Sequence, residues 1–164
     1  MVAANLSGVQ YAGFWRRFAA TIIDIIFFSA LSSLVLYMLY GAEYFDWLKE
    51  SKGLFATYGG WDAFINNGLP VVITLFCWVK LMGTPGKLLL GCQVVDAVSL
   101  KPITLGQAVV RYLGYIVSFL ALGLGFFWIA WDARKQGFHD KLAKTVVIHE
   151  DESRMVYKEL EHPG

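Results

Sequence analysis

Residues 18 to 40 form a run of 23 with a single charged side chain, Asp24. At about 1.5 Å per helical residue the run reaches roughly 34 Å, enough to cross a hydrocarbon core of about 30 Å. A stretch of this length and apolarity fits few soluble folds, so it fixes the class: a membrane helix around which the rest of the chain is arranged. Composition agrees, with 57% apolar and 16% charged residues against about 45–50% and about 25% in soluble domains. Arg16 and Arg17 before the run superficially resemble the start of a signal peptide. The length of the run, Asp24 within it and the lack of a small-x-small cleavage site predict a retained anchor instead.

Residues 41 to 68 are polar and rich in turn formers, and carry Trp47, Tyr58 and Trp61. This mixture predicts an external loop with aromatic anchors at the interface. Asn66 and Asn67 are expected to cap a short second span that starts near Leu69, holds Pro70 in its first turn and runs to Met82, with Lys80 snorkelling outward. Gly83-Thr84-Pro85-Gly86 stops that helix. Residues 87 to 105 are interrupted by Gly91, Gln93 and Asp96 and predict a strand or hairpin at the membrane surface.

The third apolar run, residues 107 to 131, contains Arg111, Gly114 and Leu122-Gly123-Leu124-Gly125, and reads either as one crossing or as a bent hairpin. Basic residues cluster before the first run (Arg16, Arg17), around the second loop (Lys80, Lys87, Lys101, Arg111) and after the third run (Arg134, Lys135, Lys141, Lys144). Each cluster favours the cytoplasm, which an even number of crossings satisfies. The β-branched run Thr145-Val146-Val147-Ile148 is expected to pair with residues 92 to 98, which also requires a cytoplasmic tail. The expected architecture is an all-α polytopic bundle with a short interfacial β element. It divides into a cytoplasmic segment (1–17), a transmembrane domain (18–148) and a charged tail (149–164) expected to fray.

A carboxylate inside an apolar helix costs a few kcal/mol and calls for a partner or a wet cavity. Arg17 lies seven residues before Asp24, almost on the same helix face, with Ala20 and Thr21 between them. Two readings stay open for Asp24: an ion or proton site gated by arginine, or a buried clamp that meets Arg111 or a backbone donor. Asp140 reads either as a helix-end or loop salt bridge or as a partner of Arg17 at the cytoplasmic mouth. Ser29, Ser32 and Ser33, and the spaced set Gly114, Ser118 and Ala121, predict close helix packing.

Other chemistry has little support. Gly83 to Lys87 lacks the spacing of a phosphate-binding loop, and neither G-x-S-x-G nor H-E-x-x-H occurs. His139, His149 and His162 all follow the apolar runs without cysteine partners, and Cys77 and Cys92 have no metal-ligand spacing and are not expected to form a disulfide. No enzyme activity, cofactor or metal is expected. A formal net charge of +1 without a basic stripe disfavours nucleic acid as a partner.

Three ordered motifs resemble those of the RDD family, named for one arginine and two aspartates. They are Gly13-Phe14-Trp15-Arg16-Arg17-Phe18-Ala19-Ala20-Thr21-Ile22-Ile23-Asp24, then Gly83-Thr84-Pro85-Gly86-Lys87 with Gly91 and Val94-Val95-Asp96, then Gly137-Phe138-His139-Asp140-Lys141-Leu142-Ala143-Lys144-Thr145-Val146-Val147. The resemblance covers residues 11 to 148. It implies that Arg17 is the arginine, Asp24 the first aspartate and Asp140 the second, with Asp132 as a rival for the last place. Lys144 departs from the glycine frequent at that point of the closing motif, which bears on the local turn. The family resemblance implies a membrane protein associated with transport whose ligands are undefined. The expected partners are the lipid bilayer, a small cation or proton, and further copies of the chain, in a bacterial cytoplasmic membrane. A membrane scaffold or accessory subunit, in which the same charges are structural, is the rival reading.

Overall fold

The computed structural model describes residues 9–51, 57–120 and 124–150. Helix α1 (Phe14–Tyr40) has 27 residues and begins one turn before the apolar run. The extra turn is held because its arginines find acceptors elsewhere in the fold: Arg16 Nε donates to the Leu90 carbonyl at 2.7 Å and Arg17 Nε to the Ala12 carbonyl at 2.8 Å. Gly41, with φ of 68°, ends the helix and donates its N–H to the Tyr37 carbonyl.

The expected loop is partly helical. Helix α2 (Ala42–Glu50) follows directly, and then α3 (Gly60–Ala63), a π-helical turn (Phe64–Gly68) and α4 (Leu69–Leu81) run on as one 22-residue segment, Gly60–Leu81. The second span is therefore longer than the sequence predicts and begins well before Leu69. Asn66 and Asn67 do not cap it; their amides bond back inside the helix, Asn66 to Asp62 at 2.6 Å and Asn67 to the Ala63 carbonyl at 3.0 Å. The π turn accommodates Pro70, whose ring and missing N–H would otherwise interrupt a regular α-helix at this point. Asp62 is buried and also accepts from Tyr44 Oη at 2.8 Å and the Tyr58 N–H at 2.9 Å, which ties α2 to the start of this span.

Met82 takes a left-handed conformation (φ 58°) and closes α4. Helix α5 (Pro85–Leu89) is a single turn with Thr84 at its N-cap and Pro85 in the first turn, and strand β1 (Cys92–Asp96) follows. The surface element expected here is thus a helical turn plus a strand, with an isolated bridge between Val95 and Pro102.

Helix α6 (Leu105–Leu120) and helix α7 (Leu124–Phe127), continued by a 3-10 turn (Trp128–Ala130), are bent against each other by 113°. Of the two forms left open for this run, the bent one is adopted. A Cβ on Gly125 would stand 2.7 Å from Ser118, so the two arms touch where neither carries bulk, and Tyr115 stacks on Phe126 at 5.7 Å. Residues 121 to 123 and Ala121 of the small-residue set lie outside the described residues.

The chain then returns along α6. Helix α8 (Phe138–Leu142) lies so close to it that a Cβ on Gly114 would meet His139 Cα at 2.7 Å. Strand β2 (Thr145–His149) pairs antiparallel with β1, from Cys92 opposite His149 to Asp96 opposite Thr145, as the β-branched run predicts. Lys144, just before β2, has φ of 52°, the left-handed conformation that glycine adopts freely. Residues before α1 join the same sheet through a Tyr11–Ile148 bridge and an Ala12 N–H bond to Val147 at 2.9 Å. Alternate strand residues face two cores: Cys92, Val94 and Val147 meet Trp78 and Ala108, while Val95, Val146 and Ile148 meet Leu100.

Phe18, Ile22, Ile25, Ile26, Leu34 and Met38 on α1 are exposed from the protein, as are Phe119 and Leu120 on α6. On helices this long and apolar they form the surface that contacts lipid. Cys77 and Cys92 are free and buried.

Candidate functional site

The charged residues of α1 lead to two buried clusters on one cavity. The cavity holds about 1140 Å³ and reaches from Phe14 and Arg17 at the start of α1 to Ser32 and Ser33, bounded by α4 and by the α6–α7 bend.

The first cluster is built on Asp24. Its carboxylate accepts from Thr84 Oγ at 2.5 Å and from the Gly86 N–H at 2.7 Å, and the Lys87 ammonium stands 3.7 Å away. Asp24 therefore supplies from α1 the acceptor that the first turn of α5 lacks in its own sequence, because Pro85 occupies the start of that helix and the cap residue Thr84 uses its hydroxyl as a donor. Gly86 makes the approach possible. A Cβ there would lie 2.2 Å from the Ala20 carbonyl and 3.0 Å from the Asp24 backbone nitrogen, so only hydrogen fits. The residues of the central motif thus have distinct tasks: Pro85 starts the turn, Gly86 allows contact, and Lys87 supplies the countercharge.

The second cluster is built on Asp140, which is fully buried. Arg17 Nη1 donates to one carboxylate oxygen at 2.6 Å, Arg111 Nη1 donates to the other, and the Gly137 N–H adds a bond at 2.9 Å that caps α8. Arg111 also donates to Thr145 Oγ at 2.6 Å, and its guanidinium lies 5.2 Å above the Trp78 ring. Burial alone would raise the Asp140 carboxyl, but Arg111 and Arg17 outweigh it and hold the group well below the usual carboxylate range. His139 is buried against Tyr115, ring centroids 4.2 Å apart. Burial is the main cause that brings its imidazole down to about 3; Asp140 opposes this, and Arg111, Arg17 and Lys87 reinforce it. The ring is neutral at physiological pH.

The sequence-predicted residues divide between these clusters. Arg17 meets Asp140, across 123 positions of sequence. Arg111 meets Asp140 and not Asp24; of the two partners left open for Asp24, the backbone donor is the one present. Arg17 and Asp24 share a helix face but have separate partners. Asp132 stands apart, paired with Lys141 at 2.5 Å and capping the turn through the Arg134 and Gln136 N–H groups, bonds that with Lys141 keep its carboxyl low against the opposing effect of burial. Trp78 and His139 were not singled out from sequence. A tryptophan near the end of an apolar run resembles an interfacial anchor, and only the fold places Trp78 beneath Arg111. Among the described residues no group of three or more His, Cys, Asp or Glu side chains is arranged to hold a metal ion.

Residues 11–144 match the sequence profile of the RDD family, a span that takes in the first two motifs and the third as far as Lys144. The chain belongs to the RDD family. The uncharacterized protein YxaI of Bacillus subtilis (strain 168) is 31% identical over 148 residues, covering 84% of this chain and 97% of its own length. The uncharacterized membrane protein YteJ of the same organism is 29% identical over 151 residues, 90% of this chain and 86% of its own. No solved structure matches the chain. In this RDD protein Arg17 of the opening motif and Asp140 of the closing motif are direct partners, whereas Asp132 pairs with Lys141.

Proposed function

We propose that this RDD membrane protein is a small cation/proton exchanger in which the Asp24–Lys87 pair is the exchangeable charge. One observation carries the reading: both side chains line the large cavity among the apolar helices, 3.7 Å apart, so an entering cation has a carboxylate to bind and an ammonium to displace. The Thr84 hydroxyl, bonded to Asp24, and that of Thr21 on the same wall add oxygen donors. Entry of the cation leaves one positive charge in excess in a medium of low dielectric, and release of one proton from the site balances it. Return of the proton re-forms the pair and expels the cation. Asp140 does not exchange in this scheme, since two guanidiniums hold it ionised.

The basic clusters support placement in a bacterial cytoplasmic membrane with both ends of the described chain on the cytoplasmic side. No catalytic role is proposed. The test is flux of sodium, potassium or lithium against a proton gradient in proteoliposomes. Wild-type protein is expected to move protons on addition of one of these cations and Asp24→Asn protein is not; equal flux from Asp24→Asn would refute the scheme.

A second reading, in which the protein is a membrane scaffold or accessory subunit, is favoured by the bonds from Gly86 and Thr84 to Asp24, which serve α1–α5 packing whether or not an ion moves. It predicts no flux from wild-type protein and a lowered melting temperature for Asp24→Asn.

A further inference from the structure

Three buried donors around the second cluster have no hydrogen-bond partner among the described residues: Arg17 Nη2, Arg111 Nε and Trp78 Nε1. Their residues are at least nine-tenths buried, at 6%, 1% and 1% exposure, and all three line the same cavity. A buried N–H without an acceptor costs about 1–3 kcal/mol, and more on a charged group, so three in one place mark a site that takes acceptors from outside the chain. The two guanidiniums share one carboxylate, and His139 beside them is neutral, which leaves one positive charge uncompensated; Asp24 and Lys87 on the same wall offset each other. The missing partner is therefore an anion with several acceptor oxygens.

The position of the donors narrows the choice. Arg17 is three residues into α1, about 5 Å from its start by helical rise, and a 27-residue helix of about 40 Å exceeds a hydrocarbon core of about 30 Å. That places the guanidinium at the level of lipid headgroups. From there an apolar stretch of the cavity wall runs toward the bilayer centre, through Ile25, Phe28, Ile116 and Phe126, alongside Asp24, Ser29, Ser32 and Ser33, with Phe28 about 16 Å beyond Arg17 along α1. The lining thus combines a cationic, donor-rich end with an apolar run long enough for much of an acyl chain.

We propose that the cavity binds one anionic phospholipid, its phosphate on Arg17, Trp78 and Arg111 and an acyl chain along the apolar wall. The donors are other residues than the exchange pair Asp24–Lys87, which lines the same cavity, and the test does not depend on flux. Full-length protein in detergent is titrated with dioleoylphosphatidylglycerol, with dioleoylphosphatidylcholine and with sodium phosphate, and bound species are counted by native mass spectrometry. One phosphatidylglycerol is expected to bind, at least about tenfold more tightly than phosphatidylcholine. Arginine variants here break a buried ion pair and endanger folding, so the decisive variant is Trp78→Phe, which keeps an aromatic ring beneath Arg111 and removes one donor. It should weaken phosphatidylglycerol about tenfold, as expected for one hydrogen bond to a charged group, and leave phosphatidylcholine unchanged. Equal affinity for the two lipids, or no effect of Trp78→Phe on phosphatidylglycerol, overturns the site. Displacement of bound phosphatidylglycerol by sodium phosphate alone would assign the donors to a free anion and overturn the lipid as occupant.

Discussion

Acidification should destabilise this protein through His139. The ring sits beside Gly137 and against the aromatic rings of Tyr115 and Phe126, and its surroundings bring it to about 3, against about 6.5 in an unfolded chain. The charged groups that act on it are Asp140 on its own helix, Arg111 on α6, Arg17 on α1 and Lys87 on α5. Below about pH 6.5 the unfolded chain takes up a proton that the folded chain refuses, so folding stability falls as pH falls, at about 1.4 kcal/mol per pH unit once the unfolded ring is mostly charged. Stability from this source is complete above the unfolded value and is lost progressively down to about 3. Between about pH 7 and about pH 5 the loss is about 2 kcal/mol. The assay is reversible denaturant unfolding of detergent-purified protein, followed by tryptophan fluorescence at pH values across that range. His139→Gln should be less stable than wild type near neutrality but should lack this increment of pH dependence, and the difference between the two profiles cancels contributions from His149 and His162. Identical slopes for wild type and His139→Gln would show that the ring is charged or solvated in the folded protein, and the account of its burial would fail.

Gly86→Ala places a methyl group 2.2 Å from the Ala20 carbonyl, a backbone atom that cannot rotate away; the strain, with a weakened bond to Asp24, should cost about 3 kcal/mol in unfolding measurements. Arg17→Asp and Asp140→Arg should each lose about 3–5 kcal/mol as single variants, and the double exchange should recover part of that loss in the same assay, whereas no recovery would argue against their direct pairing. Lys144→Gly relieves a left-handed backbone at the entry to β2 and should raise stability by about 1 kcal/mol, read as a higher melting temperature.

What the sequence disclosed was set by the range of the interactions involved. The span containing Asp24 and the pairing of Thr145–Ile148 with the strand after Gly91 follow from local apolarity and β-branching, and both are present. The second span starts earlier than the sequence predicts because Asn66 and Asn67 look like caps, and only the buried Asp62, held by Tyr44 and Tyr58, shows that the helix has already begun. Charge count favours an even number of crossings, but the choice between a straight and a bent third run depends on contacts such as Gly125 on Ser118. The main residues of the site were legible as motif positions; their pairing was less so. Helical spacing shows that Arg17 and Asp24 share a face, yet it says nothing of partners 60 or more positions away, and Arg111 was matched with the wrong aspartate as one of two alternatives.

The separation between Arg17 and Asp140 bears on how the molecule comes into being. The opening helix enters the bilayer while the segment that neutralises its arginine is still unsynthesised, and the Ala12 bond to Val147 closes later still. Until the last part of the domain emerges, the translocation machinery or surrounding lipid phosphates must shelter the guanidinium. Loss of the segment that carries Asp140 would therefore strand the Arg17 guanidinium without the carboxylate that neutralises it in the finished protein.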